Sequence, residues 1–128
     1  MNLPSIIILL LGIGIQQILS YGGCPQKCKC LTDIVSCIGA GLTEIPKNLS
    51  QKIVRLDLQE NKITKLNRND FIGLPNLRVL HLMDNEIQLI EPHSFDNLTK
   101  LERFRINRNR LRSIPDFLFK YNHKLQRL

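Results

Sequence analysis

The sequence predicts a repeat solenoid of the α/β type that is mostly β, with short parallel strands on a concave face and irregular or 3-10 turns on a convex face. Two observations predict it: apolar residues recur every 24 residues after position 52, and all four cysteines lie between positions 24 and 37, where they can form an N-terminal disulfide cap. The chain has 128 residues, of which 43% are hydrophobic and 5% aromatic. This composition favours one domain with an aliphatic core and excludes a disordered tail or a multi-span membrane protein.

Residues 1–22 have the features of a signal peptide. They contain no charged side chain, and two glutamines end the apolar run that begins at Ile6. The run is shorter than the roughly 20 residues that a transmembrane helix needs. A small-x-small pattern ends at Gly22, so we expect cleavage after this residue and secretion of the mature chain. An uncleaved anchor is the alternative.

Four cysteines mark residues 23–52 as a cap. An exported chain meets an oxidising compartment, which favours disulfides over free thiols. Zinc is the alternative, but no histidine is nearby and only one residue separates Cys28 from Cys30, which is too few for two zinc ligands. A bond between these two cysteines would close a strained ring, so two of the three pairings of Cys24, Cys28, Cys30 and Cys37 remain.

Residues 53–128 repeat the pattern L-x-x-L-x-L-x-x-N-x-L, which defines leucine-rich repeats. The repeats span 53–76, 77–100 and 101–124, and a truncated repeat begins at 125. Apolar residues two apart point to one side of a strand, and a single repeat cannot bury that row, so successive repeats stack as a parallel sheet. Two further columns recur at the same period: the asparagines 61, 85 and 109, which we expect to bond turn backbone, and the phenylalanines 71, 95 and 119.

Residues that flank the buried leucines in each strand project from the concave face. The candidates there for contact with a protein partner are Arg55, Asp57, Val79, His81 and Met83. Met83 and Val79 are expected to form a small exposed apolar strip.

Basic residues concentrate at the C-terminal end. Residues 101–128 carry eight Lys or Arg against two Asp or Glu, and the whole chain has a net charge of +7. In an extracellular protein such a patch favours a sulfated glycosaminoglycan over nucleic acid. The heparin-binding candidates are Arg103, Arg105, Arg108, Arg110 and Arg127. An ordinary solvated face is the alternative.

Two sequons, at Asn48 and Asn97, predict N-glycans in a eukaryotic secretory pathway. No catalytic constellation is evident, because the three histidines fall in different columns of the repeat without a nucleophile at a matching position. We therefore expect a non-enzymatic protein that needs no cofactor or metal, and a mature chain that does not insert into a membrane.

The spacing Cys-x3-Cys-x-Cys-x6-Cys resembles the N-terminal cysteine-rich flank of extracellular leucine-rich-repeat proteins. The resemblance implies the pairs Cys24 with Cys30 and Cys28 with Cys37. The stretches LRVLHLMDNEIQLIE and LERFRINRNRL resemble the first repeat domain of the Slit family of secreted axon-guidance proteins at exposed as well as core positions. That resemblance implies a Robo-type receptor as partner, with heparan sulfate assisting. The alternative is a structural matrix protein similar to the small leucine-rich proteoglycans or to peroxidasin.

The last repeat predicts an uncovered apolar end. The sequence stops at Leu128, midway through an expected strand and without a second cysteine-rich flank. The next repeat would then be missing over Leu111, Ile114, Phe119, Leu125 and Leu128, which predicts self-association or fraying of this end.

Overall fold

A computed structural model describes residues 23–128, so the predicted signal peptide lies outside the described residues. The described residues form seven short strands, of which five make a main sheet and two make a second sheet. The bounds are β1 Lys29–Cys30, β2 Ile34–Ser36, β3 Arg55–Asp57, β4 Lys65–Leu66, β5 Val79–His81, β6 Leu89–Ile90 and β7 Arg103–Arg105.

The main sheet has the predicted parallel stacking. Strand β1 pairs with β2 antiparallel within the cap, and β2, β3, β5 and β7 then follow in parallel. Leu56 lies beside Leu80, and Leu80 beside Phe104, in a register of 24 residues. All three side chains are buried, so the predicted solenoid and its continuous core are confirmed.

The convex side consists of irregular turns and the small parallel sheet of β4 and β6. Behind the main sheet the predicted phenylalanine column is present. The ring centroid of Phe95 lies 5.8 Å from that of Phe71 and 5.7 Å from that of Phe119. Phe104 of β7 joins them at 5.0 Å from Phe95. The aromatic residues therefore tie the strand layer to the convex layer. No helix in residues 23–128 has the length and apolar character to cross a membrane.

The recurring asparagines form a ladder that links neighbouring repeats. Asn85 donates from Nδ2 to the carbonyl oxygens of Leu58 (2.9 Å) and Leu82 (3.1 Å), and its Oδ1 accepts from the Ile63 amide (3.1 Å). Asn61 and Asn109 make the equivalent bonds one repeat earlier and later. This confirms their structural role, because each amide satisfies turn backbone that the sheet leaves unpaired.

The cap has the disulfides Cys24 to Cys30 and Cys28 to Cys37, as the resemblance implied. Cys37 is fully buried and takes the position of a repeat leucine, and Val35 of β2 packs into the same core. The cap therefore covers the first face of the solenoid.

The last repeat is less well covered. Ile114 and Leu128 are exposed, whereas Phe119 and Leu125 pack partly against the core. Asn122 stands in the column of Leu98 and is buried, and its Nδ2 donates to the carbonyl oxygens of Phe95 (3.0 Å) and Leu98 (2.9 Å). This buried amide was not predicted from the sequence.

Candidate functional site: the concave face

The strand register places the predicted concave columns side by side. Arg55 lies opposite Val79, and Val79 opposite Arg103, while Asp57 lies opposite His81, and His81 opposite Arg105. An isolated parallel bridge continues the first column from Arg103 to Arg127. The concave face is thus a surface of short, evenly spaced rows, each supplied by one repeat.

A buried acid–imidazole pair lies near the middle of this surface. Asp57 accepts a hydrogen bond from Nε of Arg55 at 3.0 Å. Its other carboxylate oxygen lies 2.8 Å from Nδ1 of His81. The two atoms are close but not aligned as a hydrogen bond, and neither has another hydrogen-bond partner within residues 23–128. Two polar atoms at the centre of the face are therefore left without a well-formed bond.

The surroundings of His81 favour its neutral form. Burial lowers the pKa of His81 below its ordinary value of 6.5, and Asp57 opposes this by stabilising the imidazolium. Arg55 and Arg105 add to the lowering through charge repulsion. The lowered pKa favours the neutral imidazole at pH 7.

Three of the five predicted protein-contact residues are not exposed as expected. Asp57, His81 and Met83 are buried, with exposed fractions of 5%, 9% and 9%. The expectation of an exposed apolar strip is therefore wrong for Met83. Val79 and Arg55 are half-buried. The reason is geometric: parallel strands lie about 5 Å apart, so side chains in adjacent rows of a concave surface shield one another.

The five heparin-binding candidates divide into two groups. Arg103, Arg105 and Arg127 are exposed and form no ion pair with any residue the structure describes. Arg108 donates to both carboxylate oxygens of Asp84, with the Nη2 contact at 2.8 Å. These bonds lower the pKa of Asp84. Arg110 lies 3.6 Å from Glu86.

Two lysines that were not predicted as site residues lie on the flank of the solenoid, three residues before each of Arg103 and Arg127. Lys100 and Lys124 line one shallow groove with Glu102. Their signal in the sequence is their separation of 24 residues, one repeat.

The remaining predicted site residues lie apart from this face. Asn48 and Asn97, the predicted glycosylation sites, both have exposed side chains. His93 is exposed, and its Nδ1 lies 2.9 Å from Oδ2 of Asp96 on the convex side. Among residues 23–128 no three His, Cys, Asp or Glu side chains are grouped so that they could hold a metal ion.

Comparison with known proteins agrees with this architecture. The family profile described as Leucine rich repeat matches residues 51–111. Biglycan of Sus scrofa is 39% identical over 94 residues, which are 72% of this chain and 34% of biglycan. Human leucine-rich repeat-containing protein 3B is 36% identical over 95 residues, 71% of this chain and 37% of that protein. The chain thus spans about a third of the length of these relatives.

Solved structures give the same fold. Human trophoblast glycoprotein, also titled Wnt-activated inhibitory factor 1, superposes with a TM-score of 0.72 at 24% identity, over 82% of this chain and 39% of the other. The TLR13–ssRNA13 complex gives a TM-score of 0.59 at 31% identity, over 66% of this chain and 12% of the other.

The fold, the cap and these relatives define the class: this chain is a leucine-rich-repeat protein with N-terminal disulfides. Within that class, the chain is similar to biglycan and to leucine-rich repeat-containing protein 3B. Both relatives support the superfamily and not the narrower resemblance to Slit.

Proposed function

We propose that this chain is a secreted leucine-rich-repeat recognition module of the extracellular matrix, which binds another extracellular protein through its concave face and performs no catalysis. The disulfide cap and the predicted signal peptide support a secreted protein, and the similarity to biglycan favours a matrix protein over a signalling ligand. The exposed sequons support passage through a secretory pathway.

One observation supports the concave face as the binding surface. Asp57 and His81 are buried in the free chain, yet their facing atoms lack an aligned hydrogen bond. Buried polar groups are nearly always hydrogen-bonded, and an unmet group costs stability. The groups that a partner would contact beside this covered pair are the half-buried Arg55, whose Nε binds Asp57, and the half-buried Val79, which would supply apolar contact.

A matched pair of substitutions tests this surface. Val79→Asp places a charge on the concave face, whereas Leu89→Asp places the same charge in the same repeat on the convex sheet. Leu89 is exposed, and both residues belong to strands of two or three residues. The full chain, produced by secretion, is titrated onto decellularised matrix that has been treated with glycosaminoglycan lyases, so that only protein binding remains.

We expect Val79→Asp to weaken matrix binding by about tenfold or more, which corresponds to about 1.4 kcal/mol. Leu89→Asp should bind as the unaltered chain does. Circular dichroism and thermal unfolding must first establish that both variants fold. Equal binding by the two variants would exclude the concave face, and retention of the chain inside cells would exclude a secreted protein.

A Slit-like guidance ligand for a Robo-type receptor is the second candidate. It rests on the likeness of LRVLHLMDNEIQLIE and LERFRINRNRL to the Slit family at exposed positions. Direct titration of the secreted chain with a Robo-type ectodomain separates the two candidates. Saturable binding that Val79→Asp abolishes would favour the guidance ligand, and absence of binding would leave the matrix module.

A further inference from the structure

Cations become direct neighbours only at the C-terminal end of the solenoid. Two sets of residues recur one repeat apart, one on the flank of the solenoid and one on its concave face. In each set a neutral residue separates the first cation from the next, whereas the last two members are both cations and lie in adjacent rows. The flank column is Lys52, Asn76, Lys100 and Lys124, and the concave column is Arg55, Val79, Arg103 and Arg127.

This arrangement costs free energy in the isolated chain. Neighbouring strands lie about 5 Å apart, and like charges directly opposite one another destabilise a sheet. The bridge between Arg103 and Arg127 places their backbones at this distance. Glu102, which precedes Arg103 in the chain, is held by Arg78, whose Nε and Nη2 donate to its two oxygens at 3.0 and 2.9 Å. Within the described chain the cations of these two rows therefore form no ion pair of their own, and Glu102 attracts Arg103 and Lys124 only at longer range.

The flank and concave cations belong to one continuous surface. Lys100 and Lys124 line a groove of about 420 Å³ on the flank, and Arg103 lines a second groove of about 300 Å³ at the concave edge. Both grooves share Glu102. The pKa of Glu102 is lowered mainly by Arg78, and the charges of Arg103 and Lys124 add to the lowering. We define the C-terminal basic patch as Lys100, Arg103, Arg105, Lys124 and Arg127.

On the opposite edge of the strands the arginines are compensated. Arg108 is paired in a bidentate fashion with Asp84, and Arg110 lies next to Glu86. A count of net charge alone would assign both arginines to an anion-binding site. Because both are paired with acids of the preceding repeat, the unpaired cations lie on the other edge of the strands, with Lys100 and Lys124.

We propose that the C-terminal basic patch binds a sulfated polysaccharide, which runs from the flank groove across the edge of the sheet to the concave arginines. The proposal rests on the proposed extracellular location. All five members of the patch are exposed lysines or arginines, and the patch has no apolar residue at its centre. Protein interfaces depend on apolar and aromatic residues at their centre and are depleted of lysine, whereas a polyanion is held by closely spaced cations. The occupant is therefore a sulfated chain and not an acidic protein segment.

Three triple variants, each of which removes three positive charges, test the location of the site. The first, Lys100→Gln with Lys124→Gln and Arg127→Gln, removes three charges from the patch. The second, Arg108→Gln with Arg110→Gln and Arg112→Gln, removes three from the opposite-edge segment that follows β7, in which Arg108 and Arg110 are paired with acids. A third variant, with glutamine at Lys27, Lys29 and Lys47, removes three from the cap. Affinity of the purified full chain, with its disulfides formed, for heparin is measured over a range of salt concentrations.

We expect the patch variant to bind heparin about tenfold more weakly at physiological salt of about 0.15 M, and the slope of log Kd against log salt to fall by about 2 to 3. The opposite-edge and cap variants should differ from the unaltered chain by less than about twofold. Equal losses in all three variants would overturn the proposal, because net charge alone would then explain binding.

The nature of the polyanion is tested with two further probes. Hyaluronan carries carboxylates without sulfates, and polyglutamate represents an acidic protein segment. Both should bind at least about tenfold more weakly than heparin. Polyglutamate binding as tight as heparin, and lost in the patch variant, would assign the patch to an acidic protein instead. These titrations use purified chain, so they are independent of the secretion and matrix assays that test the proposed function.

Discussion

The asparagine ladder allows a quantitative prediction, because its members differ in how many backbone groups depend on them alone. Asn61 makes five hydrogen bonds. Within residues 23–128, three groups have Asn61 as their only partner: the Ala40 amide, the Leu42 amide and the Cys37 carbonyl oxygen. Asn61→Ala would leave all three unpaired in a largely buried turn. An unsatisfied buried group costs about 1 to 3 kcal/mol, so we expect a loss of at least about 3 kcal/mol.

Asn85 makes four bonds but leaves fewer groups unpaired. Only the Ile63 amide has Asn85 as its sole partner in the described chain. The three carbonyls that Asn85 contacts each keep another donor: Leu58 keeps Asn61, Leu82 keeps Asn109 and Met83 keeps the Glu60 amide. We therefore expect Asn85→Ala to cost about 1 to 3 kcal/mol, less than Asn61→Ala despite a similar number of bonds.

Urea unfolding followed by circular dichroism, with the disulfides intact, measures both losses. The midpoint should fall more for Asn61→Ala than for Asn85→Ala, with similar slopes in all variants. Asn61→Ser, which keeps a small acceptor, should lie between Asn61→Ala and the unaltered chain. Asn76→Ala removes exposed hydrogen bonds and serves as the control, with a change within about 0.5 kcal/mol. A cost for Asn85→Ala as large as that for Asn61→Ala would refute the idea that sole partners decide the loss.

Three further predictions follow from single features. Because the pKa of His81 is lowered on folding, the unfolded state binds more protons than the folded state as the solution becomes acidic. The contribution of His81 to the free energy of unfolding is therefore present above about pH 6.5 and is lost as pH falls below this value. His81→Gln should make the free energy of unfolding depend less on pH between about pH 5 and 7. Asn48→Gln and Asn97→Gln should each abolish one glycosidase-sensitive shift in gel mobility. Replacing both cysteines of the Cys28–Cys37 disulfide with serine should lower the free energy of unfolding by about 2 to 3 kcal/mol, as measured by urea unfolding.

Much of the fold was predictable because its rules act within one period. Alternation places Leu56 in the core, and the 24-residue repeat places Leu80 beside it, so the sheet and its register follow from the sequence. The backbone conformation of the residue before each ladder asparagine was not predictable from this repeat. Glu60, Asp84 and Arg108 all have positive φ, between 56° and 60°, although glycine or asparagine favours that conformation. Hydrogen bonds to the next repeat, such as that from the Glu60 amide to the Met83 carbonyl oxygen, hold the backbone there.

Burial on the concave face was predicted less well. Strand alternation assigns Asp57 and His81 to the outward side, and the structure agrees on the side but not on the exposure. Exposure depends on the neighbouring rows: Arg55 covers Asp57 from the same strand, and Arg105 lies beside His81 in the next. The alternation of residues along a strand predicts only the side of the sheet to which a side chain points. How deeply that side chain is buried on a curved surface depends on the side chains of the neighbouring repeat.

The same dependence explains which cations are free. Several charges of this solenoid are balanced by the residue 24 positions earlier or later, because that residue is the neighbour in the adjacent row. Arg108 follows Asp84 by one period and is neutralised, and Arg127 follows Arg103 and is not. Comparing each charge with its neighbour one period away would have selected Lys124, next to Lys100, and excluded Arg108 from sequence alone. A count along the chain misses this, since residues close in sequence can lie on opposite edges of the same strand.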